Sequence, residues 1–281
     1  MPLRALLMIL LALLPTSALA QTDPCGAEAP CEIGDGSYHL LLPEGWDDGT
    51  PRPVLVWFHG HRSSGASIFR SSGLQRDFVE AGYVLIAPNG ALRPSGIRGW
   101  PARPTGPELR DDVAFTLAVL ADVGARMALD PERTYVSGFS AGGSMAWMMA
   151  CYAGERFTAA ASVAGALRRP HPDGAVCPAG PVRFLQIHGF TDAQVPFEGR
   201  AIGDWHQGDV FSSLSRIRAT NACRSNPDAI TLDTPLRCRD WSESCASGAA
   251  VRLCIHDGGH GLPPGWTLLA RDWFEATPAT Q

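Results

Sequence analysis

Gly138, Ser140 and Gly142 stand in the stretch YVSGFSAGGSM (135–145) and satisfy G-x-S-x-G, the spacing of a sharp turn from a strand into a helix. Such a turn strains the serine backbone and lifts its Oγ clear of a sheet edge. The glycines are needed because a side chain there would strike the neighbouring elements. In a chain with 30 glycines the pattern alone is weak. A serine capping a helix would explain the position, but not both glycines. A serine hydroxyl is protonated at neutral pH, so nucleophilic chemistry also requires a base and an acid that orients it. Asp192 follows the strand-like run VRFLQIHG (182–189), and His260 follows VRLCI (251–255) in a glycine-flanked loop. Asp204 and Asp209 rival Asp192 but lie further from any strand end; His256 rivals His260 but still belongs to its strand. The order Ser140, Asp192, His260, each after a strand, predicts acyl transfer. That reaction needs two donors for a developing oxyanion. The amide of Ala141, at a helix start, is one candidate, and the amide of His61 in WFHGHRSSG (57–65) is the other. The side chains of His59 and His61 read as ordinary turn residues. The scheme needs no cofactor and no metal.

The elements that must position these residues alternate between strand and helix. Apolar strand-like runs occupy 37–43, 53–60, 83–90, 133–138, 158–165, 182–189 and 251–259. Helical patterns occupy 109–127, 141–152, 208–220 and 265–276, and the second is apolar nearly all round, as a buried helix must be. This pattern predicts an α/β fold, a mostly parallel central sheet with helices on both faces, in a single domain. No repeat, linker or second domain is evident.

The first twenty residues, MPLRALLMILLALLPTSALA, carry an early arginine, a short apolar run and a terminal Ala-Leu-Ala. They read as a signal peptide cleaved after Ala20, which places the mature chain outside the cell or in a periplasm. Residues 21–35 then form an N-terminal arm and 36–281 the catalytic domain. All 23 cationic residues are arginine, which excludes lysine-dependent chemistry, and the net charge of −5 does not favour nucleic acid. The apolar run is too short to anchor the chain stably in a membrane. Eight cysteines behind a signal peptide imply disulfides. No C-x-x-C occurs, so the spacing speaks against zinc.

With these motifs in place, the chain resembles the extracellular esterase family that contains polyhydroxybutyrate depolymerases and bacterial feruloyl esterases. RTYVSGFSAGGSMAWMMAC, LQIHGFTDAQVPFEG and VRLCIHDGGHGLPPGW are similar to its catalytic segments, and VLVWFHGHRSSG to its oxyanion strand. The resemblance covers roughly residues 36–275 and implies an α/β-hydrolase fold, ester hydrolysis, and triad roles for Ser140, Asp192 and His260. It also implies the pairs Cys151–Cys177 and Cys223–Cys245. Cys238 and Cys254 then face each other across a hairpin centred near residue 246, and Cys25 with Cys31 would close the arm.

Two departures bear on the substrate. The dedicated depolymerases usually add a linker and a binding domain, absent here. The histidine loop reads DGGHGLPPG, with Leu262 where the family often has tryptophan. The segment 89–107 carries Trp100, Arg93, Arg98 and Arg103 and is expected to overhang the site as an aromatic, cationic platform. Soluble short-chain or hydroxycinnamoyl esters are therefore the expected substrates, with polyhydroxybutyrate as the alternative. A serine peptidase and a non-catalytic binding module are further alternatives.

Overall fold

The computed structural model describes residues 25–26, 29–101, 110–169, 175–203, 205–232 and 235–276. The expected signal peptide, Arg103 and Asp204 lie outside the described residues.

Mostly apolar runs build the centre of a ten-stranded sheet. Strands β1 (Cys31–Ile33), β2 (Gly36–Leu41), β3 (Arg52–Phe58) and β4 (Val84–Pro88) come first, then β7 (Leu129–Phe139), β8 (Ala159–Val163) and β9 (Arg183–Gly189). The sheet is completed by β12 (Ala229–Thr231), β13 (Leu236–Trp241) and β14 (Ala250–His256). Their order is β1-β2-β4-β3-β7-β8-β9-β14-β13-β12. The strands from β4 through β3, β7, β8 and β9 to β14 are parallel, and antiparallel pairs close both edges. Strands β4, β8 and β9 are buried along their whole length, as strands covered on both faces must be. Two hairpins stand outside the sheet: β5 (Ala91–Leu92) with β6 (Arg98–Gly99), and β10 (Ala201–Ile202) with β11 (Trp205–His206).

Alternation along β3 divides the interior in two. Val54, Val56 and Phe58 face one core, whereas Leu55 and Trp57 face the other. The first core receives helices α2 (Asp112–Arg126), α3 (Ala141–Tyr152) and α4 (Val210–Thr220) through Val119, Met145 and Leu214. The second receives the short α1 (Ser72–Leu74) and α5 (Trp266–Glu275) through Leu74, Trp266 and Phe274. The sheet is thus sandwiched by helices, and the carboxyl ends of β3, β7, β9 and β14 open on one edge, where such folds place their sites.

The eight cysteines pair as Cys25–Cys31, Cys151–Cys177, Cys223–Cys245 and Cys238–Cys254. Cys238 lies directly opposite Cys254 in the β13–β14 register. Cys151 near the end of α3 is joined to the segment that leads into β9, so one bridge links the serine's helix to the aspartate's strand.

Candidate active site

Ser140 sits between β7 and α3 with φ 59° and ψ −118°, a conformation that costs a non-glycine residue on the order of 1–3 kcal/mol. The neighbouring strands hold it there. Its amide donates to the Val163 carbonyl at 2.9 Å, and its carbonyl accepts from the Ser144 amide at 2.9 Å. The glycines are required by contact: a Cβ on Gly138 would lie 2.3 Å from the Gly142 oxygen, and one on Gly142 would lie 2.0 Å from the Phe58 oxygen. Gly143 is equally confined, 2.7 Å from the Val163 oxygen. The turn is clamped between the ends of β3 and β8.

His260, in the loop after β14, brings Nε2 to 2.8 Å from Ser140 Oγ and Nδ1 to 2.8 Å from Asp192 Oδ2. The other carboxylate oxygen of Asp192 accepts from the amides of Gln194 at 2.9 Å and Val195 at 2.8 Å. Burial would raise this carboxyl, but the bonds from His260 and the Val195 amide outweigh it and hold it below the usual carboxylate value. An ionised Asp192 fixes the proton of His260 on Nδ1 and leaves Nε2 as the acceptor facing the serine hydroxyl. The rival residues serve elsewhere. Asp209 caps α4 by accepting from the Ser212 amide, and His256 ends β14, where its Nδ1 accepts from the Gly258 amide.

Ala141 opens α3, and both it and His61 line the cavity above Ser140. Among the described residues, neither backbone amide donates to a protein acceptor. The cavity measures about 300 Å³ and is walled by Trp100, Gln194, Ile202, Trp205 and Gln207 together with arginines. That suits a small organic ligand. Trp100 differs from its expectation as an overhanging platform: it is only 1% exposed. Its Nε1 donates to the His59 carbonyl at 2.9 Å, its ring meets Phe58 edge-on, and it forms part of the cavity wall. An indole with a hydrogen-bond partner and an aromatic neighbour gains more from burial than from overhang.

In the sequence His59 reads as a turn residue, and His188 and the β10–β11 hairpin do not stand out. His59 is buried, bonding the Gly60 oxygen through Nδ1 at 2.7 Å and accepting from the Gly90 amide through Nε2 at 3.0 Å. His188 lies behind Asp192, with Nε2 at 2.8 Å from the Val195 oxygen and Nδ1 at 2.9 Å from Gln186 Nε2. Gln186 in turn accepts from the indole of Trp147 on α3. This buried chain braces the aspartate loop. Its signal in the sequence is the polar pair Gln186 and His188 inside the mostly apolar strand β9.

The fold is that of an α/β-hydrolase. Acetyl xylan esterase from Aspergillus awamori superposes with a TM-score of 0.63 over 86% of this chain and 96% of its own, at 14% identity. A family profile described as "Putative esterase" matches residues 35–222, and the chain belongs to that esterase family. It is 32% identical over 247 residues to "Putative esterase NocK" of Nocardia uniformis subsp. tsuyamanensis, across 80% of this chain and 67% of that protein. It is 30% identical over 276 residues to "Probable feruloyl esterase C" of Aspergillus terreus, across 93% of this chain and 92% of that protein.

Proposed function

We propose that the chain hydrolyses carboxylic esters through an acyl-enzyme on Ser140, with hydroxycinnamoyl and other small aromatic esters as substrates. Ser140 Oγ attacks the ester carbonyl as His260 Nε2 takes its proton. The amides of Ala141 and His61 hold the resulting oxyanion, with the positive end of α3 adding to them. His260 then gives the proton to the departing alcohol. A water attacks the acyl-enzyme by the same route and releases the acid. Asp192 stays ionised throughout and stabilises the imidazolium. The observation that carries this reading is the continuous Ser140–His260–Asp192 chain, with both contacts at 2.8 Å.

The feruloyl esterase relative and a compact cavity with Trp205 in its wall support the aromatic substrate class. Export after cleavage at Ala20 belongs to the same proposal and is supported by the four disulfides. A polyester substrate is the second reading. Phe190 and Leu262, exposed on the loops that carry Asp192 and His260, favour it as apolar contacts for a polymer. Parallel assays decide between them. Methyl ferulate is expected to be hydrolysed faster than a polyhydroxybutyrate granule suspension is cleared. Trp205→Ala should raise KM for methyl ferulate about fivefold more than for p-nitrophenyl acetate, the worth of one aromatic contact. Granule clearing at a comparable rate would give the site to the polymer.

A further inference from the structure

Among the described residues lining the cavity over Ser140, three are arginines, Arg93, Arg168 and Arg200, and none is aspartate or glutamate. This concentration of positive charge sits in a chain whose net charge is −5. The arginines arrive from separate elements: Arg93 from the turn between β5 and β6, Arg168 from the segment after β8, and Arg200 from the residue before β10.

Arg168 is buried and fixed. Its Nη1 donates to the carbonyls of Trp100 at 2.6 Å and Pro101 at 2.8 Å, and its guanidinium lies 4.7 Å from the Trp205 ring centre. Arg200 is aimed by its Nε, which donates to the Gln194 oxygen at 3.0 Å and to Gln207 Oε1 at 2.9 Å. A guanidinium carries five N–H donors, so this anchoring leaves the two terminal nitrogens of Arg200 for a ligand. Arg93 is exposed, and its backbone is held by the turn through the bonds to Ile97 and Gly96. Among the described residues no ion pair engages Arg93 or Arg200. The field of these charges is felt inside the cavity: burial lowers the His61 imidazole first, and Arg93, Arg62 and Arg168 lower it further.

Arg93 and Arg200, converging from separate elements on one cavity with no carboxylate in its described lining, form a receptor for an anion. We infer that the site selects esters bearing a carboxylate remote from the scissile bond, held by Arg93 and Arg200 above the buried charge of Arg168. This inference rests on the proposed ester hydrolysis. The carboxylate can enter on the acyl side, as in a half-ester of an aromatic diacid, or on the alcohol side.

Matched pairs separate these cases and separate charge from shape. Methyl 4-carboxybenzoate and its neutral isostere methyl 4-carbamoylbenzoate test the acyl side; 4-acetoxybenzoate and 4-acetoxybenzamide test the alcohol side. The carbamoyl group withdraws electrons more strongly than the carboxylate, so intrinsic reactivity favours the neutral member of each pair. In at least one pair kcat/KM for the acid is expected to exceed that for the amide by about tenfold at low salt, carried by KM. The ratio should fall toward one in 0.5 M salt, as about 4 Å of screening length predicts for charges at a cavity mouth. Arg93→Gln and Arg200→Gln should each lower that ratio several-fold. A ratio at or below one in both pairs at low salt overturns the inference while leaving ester hydrolysis intact. Calorimetric titration of Ser140→Ala with the same acids and amides reads the pocket without turnover. Preferential binding of the acid there, in an enzyme that hydrolyses none of the four esters, would uphold the anion site and reject the proposed reaction instead.

Discussion

At the scale of single residues, the site depends on imidazoles kept in one protonation state by what surrounds them. His59 is the clearest case. Burial, then the neighbouring charges of Arg98, Arg110 and His61, push its pKa down from 6.5 to about 4, against the opposing bond to the Gly60 oxygen. Its neutral form accepts the Gly90 amide, and a proton on Nε2 would displace that bond. Because the folded value lies below the unfolded one, folding favours the neutral ring. The associated stability is complete above about pH 6.5 and is lost as pH falls toward 4. At about 1.4 kcal/mol for each pH unit, the span amounts to about 3 kcal/mol. Burial lowers His39, His188 and His256 in the same direction. Asp112, raised to about 6 by burial against the pull of Arg110, acts in the opposite sense. Thermal melts should therefore show a steep loss of Tm between pH 6.5 and 4, and His59→Gln, neutral throughout, should flatten that slope. A parent Tm that stays level across this range would contradict the burial argument for His59.

At the scale of elements, the turn around Ser140 is tightly constrained on three sides, at Gly138, Gly142 and Gly143. Gly142→Ala would drive a methyl group to 2.0 Å from the Phe58 oxygen, a backbone atom that cannot swing aside. Separating β3 from α3 to make room should cost more than about 3 kcal/mol and abolish activity. A Gly142→Ala protein with parental Tm and turnover would show that the clamp is not required. This turn was legible in the sequence because its constraint is local: two glycines at fixed spacing, a strand before and a helix after. The long apolar strands and α3 were legible for the same reason, since continuous burial leaves continuous apolar runs. The β5–β6 and β10–β11 hairpins were not. Two-residue strands carry no period, and Trp205 meets Arg168 from a segment far away in the chain, while Arg200 is set by the loop bonds to Gln194 and Gln207. The placement of Trp100 is not legible, because composition identifies a loop but does not show which way its indole turns. Its burial follows from the His59 carbonyl and the Phe58 ring that receive it.

At the scale of the whole molecule, a sheet that is parallel through its centre brings distant residues to one edge. Ser140, Asp192 and His260 follow β7, β9 and β14, and the His61 turn follows β3. A bridge from Cys151 to Cys177 ties two of these units together, and the β13–β14 pair that carries His260's strand is itself bridged through Cys238 and Cys254. In the proposed reaction Ser140 is the nucleophile this assembly serves. The most direct test is to treat the protein with a fluorophosphonate and map the adduct by peptide mass spectrometry, alongside the turnover of p-nitrophenyl acetate by Ser140→Ala. One adduct per chain on Ser140, absent from Ser140→Ala, with kcat lowered on the order of a million-fold, is the predicted result. An adduct on another residue, or a tenth of the parental activity retained by Ser140→Ala, would contradict it.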